Sequence, residues 1–246
     1  MSSHRRMLTG CCAALLAVAA GGCGARDDTS DAQAAVVDQA EVIPEGGDSA
    51  LVVEDEQWAV ALPEDESWLD RVWERFQRGE RREAAAELRS RAARLQGQEG
   101  RAPASVREEL SRADQGLEQL AARLEAGQPV EESEMRRAIV NEHLALVAEH
   151  RAIAAERRTE RARAKNAEER MRVDQALGAA LTSAAGHLER AADRAGRKDD
   201  PAVRAVVQEA KSLRERMNQG DEAAAAGVQA TFDRIGAAAD ELRRGL

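Results

Sequence analysis

The sequence predicts an all-α protein whose main domain, residues 67–246, is an antiparallel up-and-down helical bundle of about six helices. Its composition is 43% hydrophobic and 33% charged but only 2% aromatic, and it is rich in Ala, Arg, Glu and Leu, which favour helices. Apolar residues recur three or four positions apart through most of the domain, as on one face of a helix. The chain has only five prolines and few β-branched runs, which argues against a β fold.

The first 22 residues have the pattern of a secretory signal peptide. Arg5 and Arg6 form a positive head, and an apolar stretch follows, from roughly Cys11 to Ala20. This stretch is shorter than the about 20 apolar residues that a membrane-spanning helix needs. We therefore expect residues 1–22 to be removed as a targeting segment.

A single cysteine, Cys23, directly follows the small residues Ala20, Gly21 and Gly22. Small residues immediately before a cysteine resemble the lipobox of bacterial lipoproteins. The resemblance implies cleavage before Cys23, a diacylglyceryl thioether on its sulfur and an acylated amino terminus. Multiple acyl chains anchor a protein stably to a membrane. A second candidate at Cys11 has no apolar segment before it, so we expect the lipid at Cys23.

The distribution of cysteines agrees with an exported protein. All three, Cys11, Cys12 and Cys23, lie within the first 23 residues, so the mature chain would have no internal disulfide. Gly24 follows the lipidation site, and by resemblance to lipoprotein sorting a residue other than Asp there favours the outer membrane. We therefore expect a lipid-anchored protein of the bacterial cell envelope, at the outer membrane and facing the periplasm.

Residues 23–66 have the composition of a disordered acidic tether. They contain thirteen acidic residues and one basic residue, whereas residues 67–246 contain 33 basic and 32 acidic residues. A solvated chain of this charge would hold the domain away from an anionic membrane surface. An apolar strap at residues 51–62 interrupts the tether, and we expect it to lie extended on the helical domain. An acidic docking tail and a partner-binding strand are the alternatives for these two segments.

Capping residues and glycines divide the domain into helices. Ser67 begins a capping pattern that predicts the start of the first helix, and Gly79 ends that helix. Gly97 is expected to end the second helix. Ser105 and Glu108 form a capping pair that predicts the start of the third helix.

The longest helical segment begins near Glu131 and runs without Gly or Pro to about Leu177. Residues 157–172 within it alternate basic and acidic side chains, so we expect the chain to bend there. Asp200 before Pro201 predicts the start of a later helix, as N-cap and first helical residue. The stripes expected in the core are, in chain order, Leu69, Trp73 and Phe76; Ala85, Leu88, Ala92 and Leu95; Val106, Leu110, Ala113, Leu117, Leu120 and Leu124; Met135, Ile139, Leu146 and Ile153; Leu177, Leu181, Ala184, Leu188, Ala191 and Ala195; Val203, Val206, Ala210, Leu213 and Met217; and Val228, Phe232, Ile235, Ala239 and Leu242.

Two histidines occupy core-type positions of the long segment. His143 and His150 are seven residues apart and share a helix face, and His187 lies on a later helix that could run beside this one. One hypothesis is a metal or haem site formed by His143, His150 and His187. We favour the interpretation that they are hydrogen-bonded residues of the helix interface, because the first two are about 10 Å apart along the axis. The Glu-x-x-His and His-Glu-x-x-His patterns also do not occur in the sequence.

Motifs of common enzyme classes are not found in the sequence. It has no Gly-x-Ser-x-Gly elbow, no Walker phosphate loop and no Rossmann glycine pattern. Nucleic-acid binding is not expected, because Glu residues balance the arginines of residues 157–172 and no aromatics accompany them. We expect a non-enzymatic scaffold or partner-binding module without cofactors, whose partners are the membrane, through Cys23, and an unidentified envelope protein. The alternatives are a metal or small-ligand binder using the three histidines, and a pilot or assembly factor for envelope machinery.

Overall fold

The computed structural model describes Trp68 and residues 70–246, and this part of the chain is all-α, as the sequence predicts. It contains seven helices and no strands within those residues. The signal peptide, Cys23, the tether, the strap and the expected cap at Ser67 lie outside the described residues. The helices are α1 (residues 70–77), α2 (Arg81–Glu99), α3 (Arg107–Glu125), α4 (Glu132–Arg163), α5 (Ala167–Arg194), α6 (Pro201–Asn218) and α7 (Glu222–Arg244).

Short polar turns separate the helices, mostly where the sequence predicts them. Gly196, after α5, has a φ of 73°, a left-handed conformation that costs glycine less than any other residue. The side chain of Asp200 accepts hydrogen bonds from the backbone N–H groups of Ala202 and Val203, which confirms it as the N-cap of α6. Asp221 caps α7 in the same way. These caps satisfy N–H groups that have no partner inside their helices.

Two predicted helix ends are wrong by one or two residues. The pair at Ser105 does not cap α3, because the N-cap residue is Val106 and it makes no side-chain capping bond. Helix α2 continues past Gly97 and ends at Glu99. Gly97 is tolerated there because a single glycine costs a helix only about 1 kcal/mol, and packing of the buried apolar face compensates.

The long helical segment is interrupted where its apolar stripe is lost, as expected. Helix α4 ends at Arg163 and α5 begins at Ala167. The side chain of Asn166 accepts a hydrogen bond from the backbone N–H of Glu169 at 2.8 Å and so caps α5. On the outer part of this helix pair, Arg161 of α4 contacts Asp174 of α5 at 2.5 Å. This ion pair joins the two helices near the connection, beside Val173, which packs against the apolar core.

The core consists of two clusters of buried apolar residues that share α4. The first contains side chains from α1, α2, α3 and the first half of α4, including Met135 and Ile139. The second contains side chains from α4, α5, α6 and α7, including Val140 and Leu144. Helix α4 packs on α3, α5 and α7. Helix α4 is therefore buried on several faces, whereas its apolar stripe predicted burial of one face.

Burial on several sides encloses polar residues in the middle of α4. All six residues from Glu142 to Val147 are buried. Six consecutive residues of an α-helix point in every direction around its axis, at 3.6 residues per turn. Glu142 and His143 therefore lie inside the protein, where each needs a polar partner. Among the helices between residues 68 and 246, none combines the length and the apolar character that crossing a bilayer requires.

Candidate functional site

The three histidines singled out in the sequence meet at the contact between α4 and α5. The Nδ1 atoms of His143 and His187 are 3.3 Å apart, and their ring centroids are separated by 5.5 Å. His150 stacks on His187, with ring centroids 5.5 Å apart and an interplanar angle of 14°. We call these three residues the histidine cluster. Two turns of α4 supply His143 and His150, and His187 of α5 lies between them because the two helices pack side by side.

Hydrogen bonding determines which nitrogens of the cluster carry a proton. A guanidinium nitrogen of Arg190 lies 3.2 Å from Nδ1 of His187, and arginine can only donate hydrogen bonds. Nδ1 of His187 must therefore be unprotonated and accept. Nδ1 of His143 faces the same atom, so it must carry a hydrogen and donate. The bare nitrogen of neutral His143 is then Nε2, which is buried and has no hydrogen-bond partner among the described residues.

Burial keeps the histidine cluster uncharged. His143 and His187 are 3% and 7% exposed. Burial, followed by the charge of Arg190, lowers the pKa of His143 well below its ordinary value. Burial, followed by the neighbouring His143 and His150, lowers the pKa of His187 well below that value as well. Burial lowers the pKa of His150 to about 4. The cluster is consequently neutral at pH 7.

A buried ion pair lies beside the cluster, at the residue directly before His143 on α4. Arg91 of α2 is 4% exposed and Glu142 is 0% exposed, and Nε of the arginine lies 2.5 Å from Oε1 of the carboxylate. The guanidinium of Arg91 also lies over the ring of Trp68, 5.3 Å from its centroid. This cation–π contact and the ion pair hold the arginine between α4 and Trp68. The pair compensates charges that could not be buried singly.

A second carboxyl group, that of Glu149, is buried one residue before His150. Burial raises its pKa, and the charges of Arg101 and Arg91 partly oppose that effect. A carboxyl group with a raised pKa becomes neutral early on acidification. Glu149 is therefore a weak counter-ion for the histidines when the pH falls.

Metal binding is not favoured by the geometry of the cluster. Two nitrogens 3.3 Å apart could both reach one ion, but the cation Arg190 contacts one of them. Within residues 70–246 and at Trp68, no three or more His, Cys, Asp or Glu side chains are arranged to hold a metal ion.

The sequence predicted the three histidines as candidate site residues but did not indicate the roles of Arg91 and Arg190. Residues 144–148 are all apolar, whereas a helix buried on one face has apolar residues only every three or four positions. This run could have indicated that α4 is buried on several faces.

The surface of the described helices is polar. Met171, beside the α4–α5 connection, is 57% exposed and is the one large apolar side chain exposed in the part of the chain that the structure describes. A pocket of about 450 Å³ opens at the start of α4. None of the three histidines lines it; the lining residues are Glu132, Ser133, Arg136, Arg137, Ala195, Gly245 and Leu246. No open path to the histidine cluster is therefore provided by this pocket.

Comparison with protein families, with characterised proteins and with solved structures finds no match to this chain. The fold and the cluster define its class: an all-α protein with two apolar cores joined by one helix, and with a neutral histidine cluster where that helix packs on α5.

Proposed function

We propose that the protein is a non-enzymatic scaffold or partner-binding module, held by a lipid at Cys23 in the bacterial cell envelope, with its helical domain facing the periplasm. The proposal rests on where the titratable and charged side chains of the helical domain lie. Among the groups able to do acid–base chemistry, His143, His187 and Glu142 are buried and His150 is half-buried, and all contact protein groups. The outer faces carry charged side chains that pair with each other.

The exposed ion pairs suit a surface that binds another protein. Arg112 and Glu108 on α3 are 3.1 Å apart and both largely exposed, and Arg157 with Glu160 on α4 forms a similar pair at 2.8 Å. Exposed pairs contribute little to stability, so a partner can replace them at low cost. A complementary charged surface increases specificity and association rate more than affinity. The partner expected for such a surface is a protein surface of mixed charge.

Replacing Cys23 by Ser tests the anchor. Without the thiol no thioether to lipid can form, so the variant should lose metabolic lipid labelling and move from the membrane fraction to the soluble fraction. Cys11→Ser is the matched control, because it removes the cysteine of the rejected second site, and it should leave both measurements unchanged. Membrane retention of the Cys23→Ser protein, or release by Cys11→Ser, would contradict the anchor.

In-cell crosslinking with mass spectrometry tests partner binding. A photoreactive residue at Met171 probes the charged region around the α4–α5 connection, and one at the exposed Gln208 of α6 is the control position. We expect one reproducible envelope protein to be crosslinked from Met171 and not from Gln208, and its yield to fall in the Cys23→Ser background. Equal yields from both positions would indicate nonspecific contact and refute a binding face here.

A second candidate function is metal or small-ligand binding by His143, His150 and His187. The convergence of the three rings favours it, whereas the enclosure of the cluster and the cation Arg190 weigh against it. Isothermal titration calorimetry with Zn²⁺, Cu²⁺ and haem, together with the melting temperature, distinguishes the two functions. Scaffold function predicts neither heat nor stabilisation. A heat change or a stabilisation that is present in the wild type and absent in His187→Gln would favour the ligand site.

A pilot or assembly role would be favoured by an apolar groove, and Met171 alone does not form one.

A further inference from the structure

The contact between α4 and α5 places three imidazoles where each proton added would be unfavourable. A proton on Nδ1 of His187 would point at the guanidinium of Arg190 and at the N–H of His143. A proton on Nε2 of His143 would be buried without an acceptor among the described residues. His150 lies flat against the ring of His187, so a charge on one is close to a charge on the other.

The charged groups around the cluster do not offset such protons. Glu142 is already paired with Arg91, and the raised pKa of Glu149 makes that carboxyl lose its charge on acidification. Arg194, which adds to the positive field at His143, pairs with Asp70 of α1. The charged groups that act on the cluster and on Glu149 are Glu142 and Glu149 on α4, Arg190 and Arg194 on α5, Arg91 on α2 and Arg101 after α2, with Asp70 on α1 paired to Arg194.

We propose that the histidine cluster is an acid-sensitive switch: α4 and α5 stay packed while His143, His150 and His187 are neutral, and their protonation by solvent separates the two helices. In the open state each imidazole reaches water and binds a proton on its free ring nitrogen. The proposal does not depend on the lipid anchor or on a binding partner.

The sign and size of the effect follow from proton linkage. Each histidine has a pKa near 6.5 when solvated and a lower pKa in the packed state, so the open state binds more protons below pH 6.5. Stability of the packed state is complete above pH 6.5 and is lost as the pH falls. Between pH 7.5 and 5.5 the ratio of open to packed molecules rises about tenfold for each histidine, hence about a thousandfold for three. Protonation of Glu149 acts in the opposite direction, because its pKa is raised in the packed state.

Hydrogen exchange on the full-length chain in detergent measures the opening. At pH 7.5 and 5.5, and after correction for the intrinsic exchange rate, protection of residues 140–150 and 180–190 should fall by about a thousandfold. Protection of α6, which contributes no histidine to the cluster, should fall much less. Equal loss in α6 would indicate general acid unfolding and overturn the switch, as would unchanged protection in α4 and α5.

Single substitutions show how many histidines contribute to the pH-dependent loss of protection. His143→Gln and His187→Gln should each reduce the pH-dependent loss of protection by about tenfold, because a glutamine side chain does not titrate. Gln208→Ala, an exposed substitution on α6, is the control and should leave the loss unchanged.

A measurement on the wild-type chain tests the proposal even if a histidine variant fails to fold. The unfolding free energy of the wild-type chain in urea, measured between pH 6.5 and 5.5, should approach a slope of three protons. A slope below one proton, or an unaltered slope in the folded His143→Gln variant, would refute the proposal.

Discussion

Replacing Arg91 by Met should destabilise the protein more than any single surface substitution. The change removes one partner of the buried ion pair and leaves the carboxylate of Glu142, which is 0% exposed, with its main cationic partner gone. It also removes the cation–π contact with Trp68. Methionine fills much of the space of the arginine stem, so lost packing contributes little. The experiment therefore measures mainly the cost of an uncompensated buried charge.

The size of the loss can be estimated from the two contacts. Breaking a buried ion pair by removing one partner costs about 3–5 kcal/mol, and a desolvated cation–π contact contributes about 1–2 kcal/mol. Because the two effects share one side chain and are not additive, we expect about 4 kcal/mol in total for Arg91→Met. With a urea m-value of about 2–3 kcal/mol/M, the unfolding midpoint should fall by about 1.3–2 M.

Urea unfolding followed by circular dichroism provides the measurement, and two further variants make it specific. Arg91→Met combined with Glu142→Leu removes both charges and should recover most of the loss, because an apolar replacement of a buried pair is often nearly neutral. Arg112→Met breaks an exposed pair with Glu108 and should cost less than about 1 kcal/mol. The reasoning is refuted if Arg91→Met costs less than about 1 kcal/mol, or if the double variant is less stable than the single one.

Four other substitutions test the helix ends and the core by the same unfolding measurement. Asn166→Ala removes the hydrogen bond to the backbone N–H of Glu169 and should cost about 1 kcal/mol. Gly196→Ala should cost about 1 kcal/mol because of the left-handed backbone, whereas Gly97→Ala, inside α2 with open space where a Cβ would lie, should stabilise by about 0.5–1 kcal/mol. Phe232→Ala, in the core shared by α4 to α7, should cost about 3–5 kcal/mol.

For each of these substitutions, one result would contradict the expected effect. Asn166→Ser keeps an oxygen at the cap position and should retain most of the stability, so a loss equal to that of the alanine variant would contradict capping. Gly196→Ala and Gly97→Ala are the same chemical change at two backbone conformations. An effect of the same sign at both would show that backbone conformation does not decide the outcome. A cost below about 1 kcal/mol for Phe232→Ala would mean that the second core is loosely packed.

Most helices could be predicted from local sequence because their signals are local. The stripes of α3, α6 and α7 are buried as expected, for example Leu117, Val206 and Phe232. The α6 cap at Asp200 depends on N–H groups two and three residues away, so a short segment contains the information. The cap of α3 was wrong because the pattern at Ser105 is satisfied by sequence spacing alone, whereas the chain enters the helix one residue later at Val106.

The surroundings of the histidines could not be read in the same way. The seven-residue spacing placed His143 and His150 on one face, and that is a property of the helix alone. Their contact with His187 depends on the register of α4 against α5, and the partner of Glu142 is 51 residues away on α2. Contacts at such separations follow from how whole helices pack, and no local pattern specifies them.

The amino-acid sequence by itself determined where the helices lie, which faces are apolar and how charge is divided between residues 23–66 and the helical domain. Those properties arise from backbone geometry and side-chain chemistry over a few turns. Only the tertiary structure decided that α4 belongs to two cores, that its two histidines meet one from α5, and that its Glu142 pairs with Arg91 of α2. The physical reason is that burial of polar groups depends on surfaces contributed by distant helices, and those surfaces exist only after packing.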